Sequence, residues 1–285
     1  MRWTDDRSDN VDDRRGTGGG GGMIVGGGLG TLIIAAIVFF LGGDPSSLLS
    51  SGGGNAPAQT EQRTLTPEEL HIRDFIKMLT AENEQTWTSI FAANGMQYTP
   101  ATVVLFENNT TSGCGPAESA MGPFYCPADQ KVYMDMSFFN ELQQKFGAKV
   151  TEFTVAYVLA HEMGHHVQTL LGTTQKVDAL RRNGRYSEAD LNRVSVATEL
   201  QADFYAGVWA KNTDDKEHIL QPGDLQSAID AAQAVGDDNI QKKSQGYVNQ
   251  ESFTHGSSAQ RKEWFMKGYN TGDIKQGDTF NQLLK

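Results

Sequence analysis

The sequence predicts an α+β protein, a mainly helical domain with a small β-sheet, preceded by one transmembrane helix. Three observations carry this. Residues 23–41 form an apolar run without a single charge. Two short runs rich in β-branched and aromatic residues stand at 102–106 and 131–136. From Phe138 onward the chain reads as a succession of helices.

Residues 1–22 are a charged tail that ends in the glycine tract 16–22. The run 23–41 is close to the roughly 20 residues needed to cross a bilayer. Gly26 and Gly30 within it have the Gly-x-x-x-Gly spacing that brings two spans together, so self-association is an expectation. Arg2, Arg7, Arg14 and Arg15 precede the run and the first basic residue after it is Arg63. That asymmetry predicts a cytoplasmic amino terminus and a domain on the outer side. A cleaved signal peptide is the competing reading, with Gly42 and Gly43 near the cut. The run is longer than a signal core and lacks the A-x-A pattern, which favours an uncleaved anchor. Residues 42–63 are rich in Gly, Ser, Ala and Pro and read as a flexible tether. Residues 64–285 suit one domain with a core of its own.

That domain opens on a marked helix. Thr66 is its N-cap, Pro67 its first residue, and Glu69 completes a capping box. The strand-like runs Thr102-Val103-Val104-Leu105-Phe106 and Lys131-Val132-Tyr133-Met134-Asp135-Met136 follow, the second alternating like a half-buried edge strand open to an extended peptide. Between them lie the only two cysteines, Cys114 and Cys126. Outside the cytoplasm such a pair is expected to be bridged, the alternatives being two inert thiols or one thiol joining a metal site.

The chemistry is concentrated in His161-Glu162-Met163-Gly164-His165, inside a buried helix running from about 150 to 171 and stopped by Gly172. His161 and His165 stand one above the other on one helix face, so both imidazoles reach a single ion, with Glu162 beside them to act on a metal-bound water. Three buried ionisable groups need such a partner. A catalytic zinc site takes three protein ligands and keeps one position open. A third ligand further along the same helix is ruled out, because Gln168 and Leu171 occupy the required positions. A second apolar helix carries Glu199 and Asp203, four apart on one face. Two buried acids call for a cation, so Glu199 is assigned as third ligand and Asp203 as acceptor for the second ring nitrogen of a ligating histidine. The alternative is a solvated acidic face with Leu200 and Phe204 turned inward.

In these residues the chain resembles the bacterial membrane-associated neutral zinc metallopeptidases. Met1-Arg2-Trp3 with Asp9-Asn10-Val11-Asp12-Asp13-Arg14-Arg15-Gly16 is similar to that family's amino terminus; 161–168, 199–209 and Ser252-Phe253-Thr254-His255-Gly256-Ser257-Ser258 are similar to its internal blocks. The charge asymmetry around the span predicts the outer, periplasmic face of a bacterial cytoplasmic membrane; the resemblance implies a zincin architecture with a glutamate third ligand, zinc on His161, His165 and Glu199, and Glu162 as base. It implies no particular substrate.

Of the other histidines, His166 points about 100° away from the ligand face and is expected to pack. His255 lies in a loop before a helix capped by Ser257 or Ser258. It either hydrogen-bonds a developing oxyanion or ties the loop down. Nothing singles out His71 or His218. Two further helices are expected, near 224–235 and 259–269.

The formal charge of -11 and the absence of a basic stripe exclude nucleic acid as partner. The tract 16–22 lacks the strand and lysine of a phosphate loop. The expected function is therefore a membrane-anchored zinc peptidase acting on peptide or protein substrates. Its alternative is a non-catalytic zinc-containing envelope protein that binds a peptide or protein partner.

Overall fold

The structure is a computed structural model that describes residues 1–16, 63–147 and 149–284. It is mostly helical with two small sheets, which is the α+β class expected. The candidate span 23–41, its Gly26/Gly30 pair and the tether lie outside the described residues. Among the described residues no helix is long and apolar enough to cross a membrane.

The first sheet holds β1 (Val11–Asp13), β2 (Thr102–Leu105), β5 (Phe124–Cys126) and β6 (Lys131–Met134), in the order β1-β2-β6-β5. The pairs β1·β2 and β2·β6 are parallel and β5·β6 is antiparallel. The run at 131–134 is thus an interior strand and not the edge its alternation suggested. The edges are β1 and β5, each a three-residue strand too short to leave a periodic signal. A hairpin of β3 (Asn109–Ser112) and β4 (Gly115–Glu118) forms the second sheet. Cys114 in its turn is bridged to Cys126 of β5, with Cα atoms 5.8 Å apart. The bridge fastens the edge strand to the hairpin.

Among the helices, α1 (Pro67–Ala93) begins as expected: Thr66 accepts from Glu69 N, and the Glu69 side chain accepts from Thr66 N. Then come α2 (Ser137–Phe146), α3 (Glu152–Leu170), α4 (Thr173–Arg182), α5 (Glu188–Glu217), α6 (Asp224–Ala234), α7 (Asp237–Gln245), α8 (Ser258–Thr271) and α9 (Thr279–Leu283). Ser257 is the N-cap of α8 and accepts from Gln260 N. Helix α5 is the spine. It packs on α1, α3 and α8, and Trp87, Phe153, Phe204 and Trp209 are buried around it. Its contact with α8 is backbone against backbone, because a Cβ on Gly207 would stand 2.0 Å from the Phe265 carbonyl oxygen and one on Gly268 would stand 2.0 Å from that of Phe204. That approach brings Arg261 of α8 to Asp203 of α5.

The amino-terminal residues are not a separate tail. Residues 1–16 contribute β1 to the sheet and run along α1, within the same body as residues 63–284.

Candidate metal centre

Helix α3 presents His161 and His165 one turn apart, and α5 presents Glu199 opposite them. Nε2 of His161 is 3.3 Å from Glu199 Oε2, and Nε2 of His165 is 3.5 Å from Oε1. One donor atom from each of the three residues falls within 4.8 Å of the others, and all three residues are buried. This is the only such cluster of metal-binding side chains among the described residues.

The ring orientation suits a metal ion. His161 Nδ1 is 2.8 Å from Asp203 Oδ1, and His165 Nδ1 is 2.9 Å from Gln168 Oε1. Each Nδ1–H is thereby donated outward, which leaves both Nε2 lone pairs directed at the centre. The Gln168 amide is itself held, since its Nε2 donates to Thr198 O at 2.7 Å and to Gln201 Oε1 at 3.2 Å. The carboxylate oxygens of Glu199 face the same space. Two imidazoles and a carboxylate are a donor set that zinc takes readily.

Asp203 has no exposed surface and anchors the outer network. It accepts from Tyr157 Oη at 2.5 Å, from Arg261 Nε at 2.7 Å and from an Arg261 terminal nitrogen at 2.9 Å, besides the His161 ring. Burial pushes its carboxyl upward, but the Arg261 guanidinium and the His161 ring outweigh that and hold it at about 2. Burial likewise pushes His161 down, and the Asp203 and Glu199 carboxylates reverse this, raising the ring to about 10. The metal-free site therefore holds protons that a metal ion must displace. Zinc uptake at pH 7 is expected to release protons and to tighten as pH rises toward 10. Binding heats measured in two buffers of different ionisation enthalpy would differ accordingly; equal heats would contradict the prediction.

Glu162 is buried beside the three donors, and its Oε2 is without a hydrogen-bond partner among the described residues. Burial raises its carboxyl, the two histidine rings oppose that, and the neighbouring Glu199 adds to it.

Helices α3 and α5 meet at Gly164, inside the His161–His165 turn. A Cβ there would lie 2.8 Å from the Ala202 carbonyl oxygen and 3.0 Å from Ala202 Cα. The glycine therefore sets how closely Glu199 approaches the two rings. Gly164→Ala is expected to wedge the helices apart and weaken zinc binding about tenfold, the equivalent of ~1.4 kcal/mol of overpacking. Competition against a chromophoric chelator measures this, and unchanged affinity would show that the contact does not set the site.

His255 lies in the α7–α8 connection, which packs on α5. Its Nδ1 is 3.1 Å from Asp237 Oδ1, while Asp237 Oδ2 accepts from the backbone N–H groups of Thr254, His255 and Gly256 at 2.7, 2.6 and 2.9 Å. A Cβ on Gly256 would come within 3.2 Å of Leu200 and 3.3 Å of Val196, so the loop lies on α5 next to Glu199. Burial lowers the imidazole pKa, but Asp237 and Glu199 raise it above its ordinary value. The loop is thus tied down beside the helix that carries Glu199.

His166 packs as expected, with Nδ1 3.0 Å from Tyr125 Oη and Nε2 2.7 Å from Thr99 O. His71 stacks on Trp3, and His218 closes α5 in the left-handed region. Sequence reasoning missed four residues of the network: Tyr157, Gln168, Asp237 and Arg261. Gln168, three residues after His165 on one helix face, carried a local signal. Tyr157, on α3, meets Asp203 through the packing of α3 on α5, and Arg261 and Asp237 join only through the packing of α8 and the loop onto α5.

A family model described as "Putative neutral zinc metallopeptidase" matches residues 1–280. An uncharacterized protein of Escherichia coli K12, YpfJ, is 44% identical over 226 residues, which cover 79% of this chain and 77% of that protein. An uncharacterized protein of Mycobacterium bovis, Mb2605, is 45% identical over 193 residues, covering 65% and 64% respectively. No solved structure matches.

Proposed function

Since the chain belongs to the family of putative neutral zinc metallopeptidases, we propose that it is an active zinc peptidase that hydrolyses peptide bonds of peptide or protein substrates. The observation that carries this is the bare Glu162 Oε2 beside three metal-donor atoms within 4.8 Å of one another. A structural zinc site is closed and has no use for a base.

His161, His165 and Glu199 would hold the ion. When bound, zinc supplies Lewis acidity toward a water and toward the scissile carbonyl. Glu162 takes a proton from the attacking water and delivers it to the leaving amine. Asp203 and Gln168 keep the Nδ1–H tautomer of the two ligand rings, and Arg261 keeps Asp203 ionised. His255, oriented by Asp237, donates a hydrogen bond to the carbonyl oxygen as charge develops there. Anchoring to a membrane through residues 23–41 belongs to this proposal. The bridge Cys114–Cys126 favours a domain outside the reducing cytoplasm.

Elemental analysis of the purified full chain, with cleavage of an unstructured protein, tests the reading. The expected result is about one zinc per chain, with cleavage that stops on chelation and returns with zinc. A chain that holds zinc and cleaves nothing would favour the alternative of a non-catalytic partner-binding envelope protein.

A further inference from the structure

The amino-terminal residues are bound by more than one strand pairing. In the sheet, Val11, Asp12 and Asp13 lie opposite Val103, Val104 and Leu105. Along α1, the Trp3 ring stacks on His71 and Phe75 at 4.8 and 5.0 Å. Arg7 makes a two-pronged pair with Asp74 at 2.8 and 2.9 Å, and Ser8 donates to Glu84 at 2.8 Å. Arg15 is only 5% exposed; it is held by Asp13 and donates to the Glu69 carbonyl at 2.9 Å. An arginine is buried to that degree only where the protein supplies all its partners.

The junction is as specific as the docking. Arg63 N donates to Gly16 O at 3.0 Å, so the chain leaves this body and returns to it at one point. Gly16 has φ +71°, and a Cβ on it would stand 2.6 Å from the Arg63 carbonyl oxygen. Only glycine fits there.

We propose that the free side of β2 is the docking surface for this chain's own amino terminus, and that residues 1–16 and the metal-bearing domain therefore lie on the same side of any membrane that residues 23–41 engage. A single crossing between Gly16 and Arg63 would put about 30 Å of hydrocarbon between two residues that share a hydrogen bond. It would also strip β1 from the sheet and leave Arg15 without Glu69. Cleavage after residue 43 would remove the strand as well. Three of the four arginines that set the orientation expectation are engaged by protein partners, Arg7 by Asp74, Arg14 by Asp12 and Arg15 by Asp13. Their number before residue 23 consequently does not report a cytoplasmic tail, and the expected arrangement of tail inside and domain outside gives way to one shared side. This inference is independent of peptidase activity.

The test is thiol labelling of the full-length protein in bacteria. Asp5→Cys and Tyr247→Cys each place one thiol at an exposed position, at the amino terminus and in the domain, while the native cysteines are bridged. A membrane-impermeant maleimide is applied to intact spheroplasts and to lysed cells. The expected result is that the two variants behave alike, both labelled in intact spheroplasts or both labelled only after lysis. Labelling of one in intact spheroplasts and of the other only after lysis would overturn the proposal.

Discussion

Glu162→Gln is expected to bind zinc as the wild type does and to lose about 10²–10⁴-fold in kcat, the usual contribution of a general base. The substitution is isosteric and touches none of the three donors. It removes the one group at the cluster whose oxygen has no protein partner among the described residues. The amide cannot accept a proton from water, so KM should move little while turnover falls. Zinc content by elemental analysis, alongside kcat on an unstructured protein, reads both halves. If the Glu162→Gln enzyme cleaves at the wild-type rate, the assignment of the base is wrong; if it loses its zinc, Glu162 helps hold the ion.

Arg261→Met is expected to cost about 3–5 kcal/mol of folding stability, the range for breaking a buried charge pair from one side. Asp203 would remain fully buried, facing Tyr157 and His161 without the guanidinium that offsets its desolvation. The pH dependence has a definite sign. In the wild type the Asp203 carboxyl is held at about 2, so its contribution is fully present above the unfolded value near ~3.9 and is lost as pH falls toward 2. Without Arg261 the carboxyl shifts upward, and the stability it lends at neutral pH shrinks. Asp203→Asn in the Arg261→Met background is expected to recover part of the loss, because no unpaired charge is then left inside. Denaturant unfolding of the metal-free proteins measures the cycle. A loss below about 1 kcal/mol for Arg261→Met would show that the pair is not holding the core at this point.

How much of this was legible beforehand follows from how local each signal is. The pair His161 and His165 with Glu162 is written within one helical turn, and helical geometry alone places the two rings on one face. Glu199 and Asp203 were legible for a related reason. Two carboxylates four apart in an otherwise apolar helix ask for a cation, and the structure brings both against the His161 helix. The capping box at Thr66 and the cap at Ser257 are likewise short-range and lie where expected. The edge strand was misplaced because β5 is three residues long and the strands β1 and β2 of its sheet are remote in sequence. Alternation in 131–136 predicted a half-buried strand, whereas Val132, Tyr133 and Met134 are all buried, because an interior strand is covered on both faces and the pattern along the chain does not say what lies on either side of it.

Short-range signals along the chain thus carried the class of protein, the residue types that would meet at a metal, and the helices that bear them, since each depends on contacts within a few residues. Long-range packing had to supply the rest: Arg261 neutralising Asp203, Asp237 holding the His255 loop, Gly164 setting the spacing of the two ligand helices, and the charged amino terminus becoming a strand of the domain's own sheet. These are contacts between residues 18 to more than 80 positions apart. They arise because close packing of α3, α5 and α8 sets Asp203 against Arg261 and the α7–α8 connection sets Asp237 against His255, and no periodicity along the chain encodes which partner a buried charge will meet.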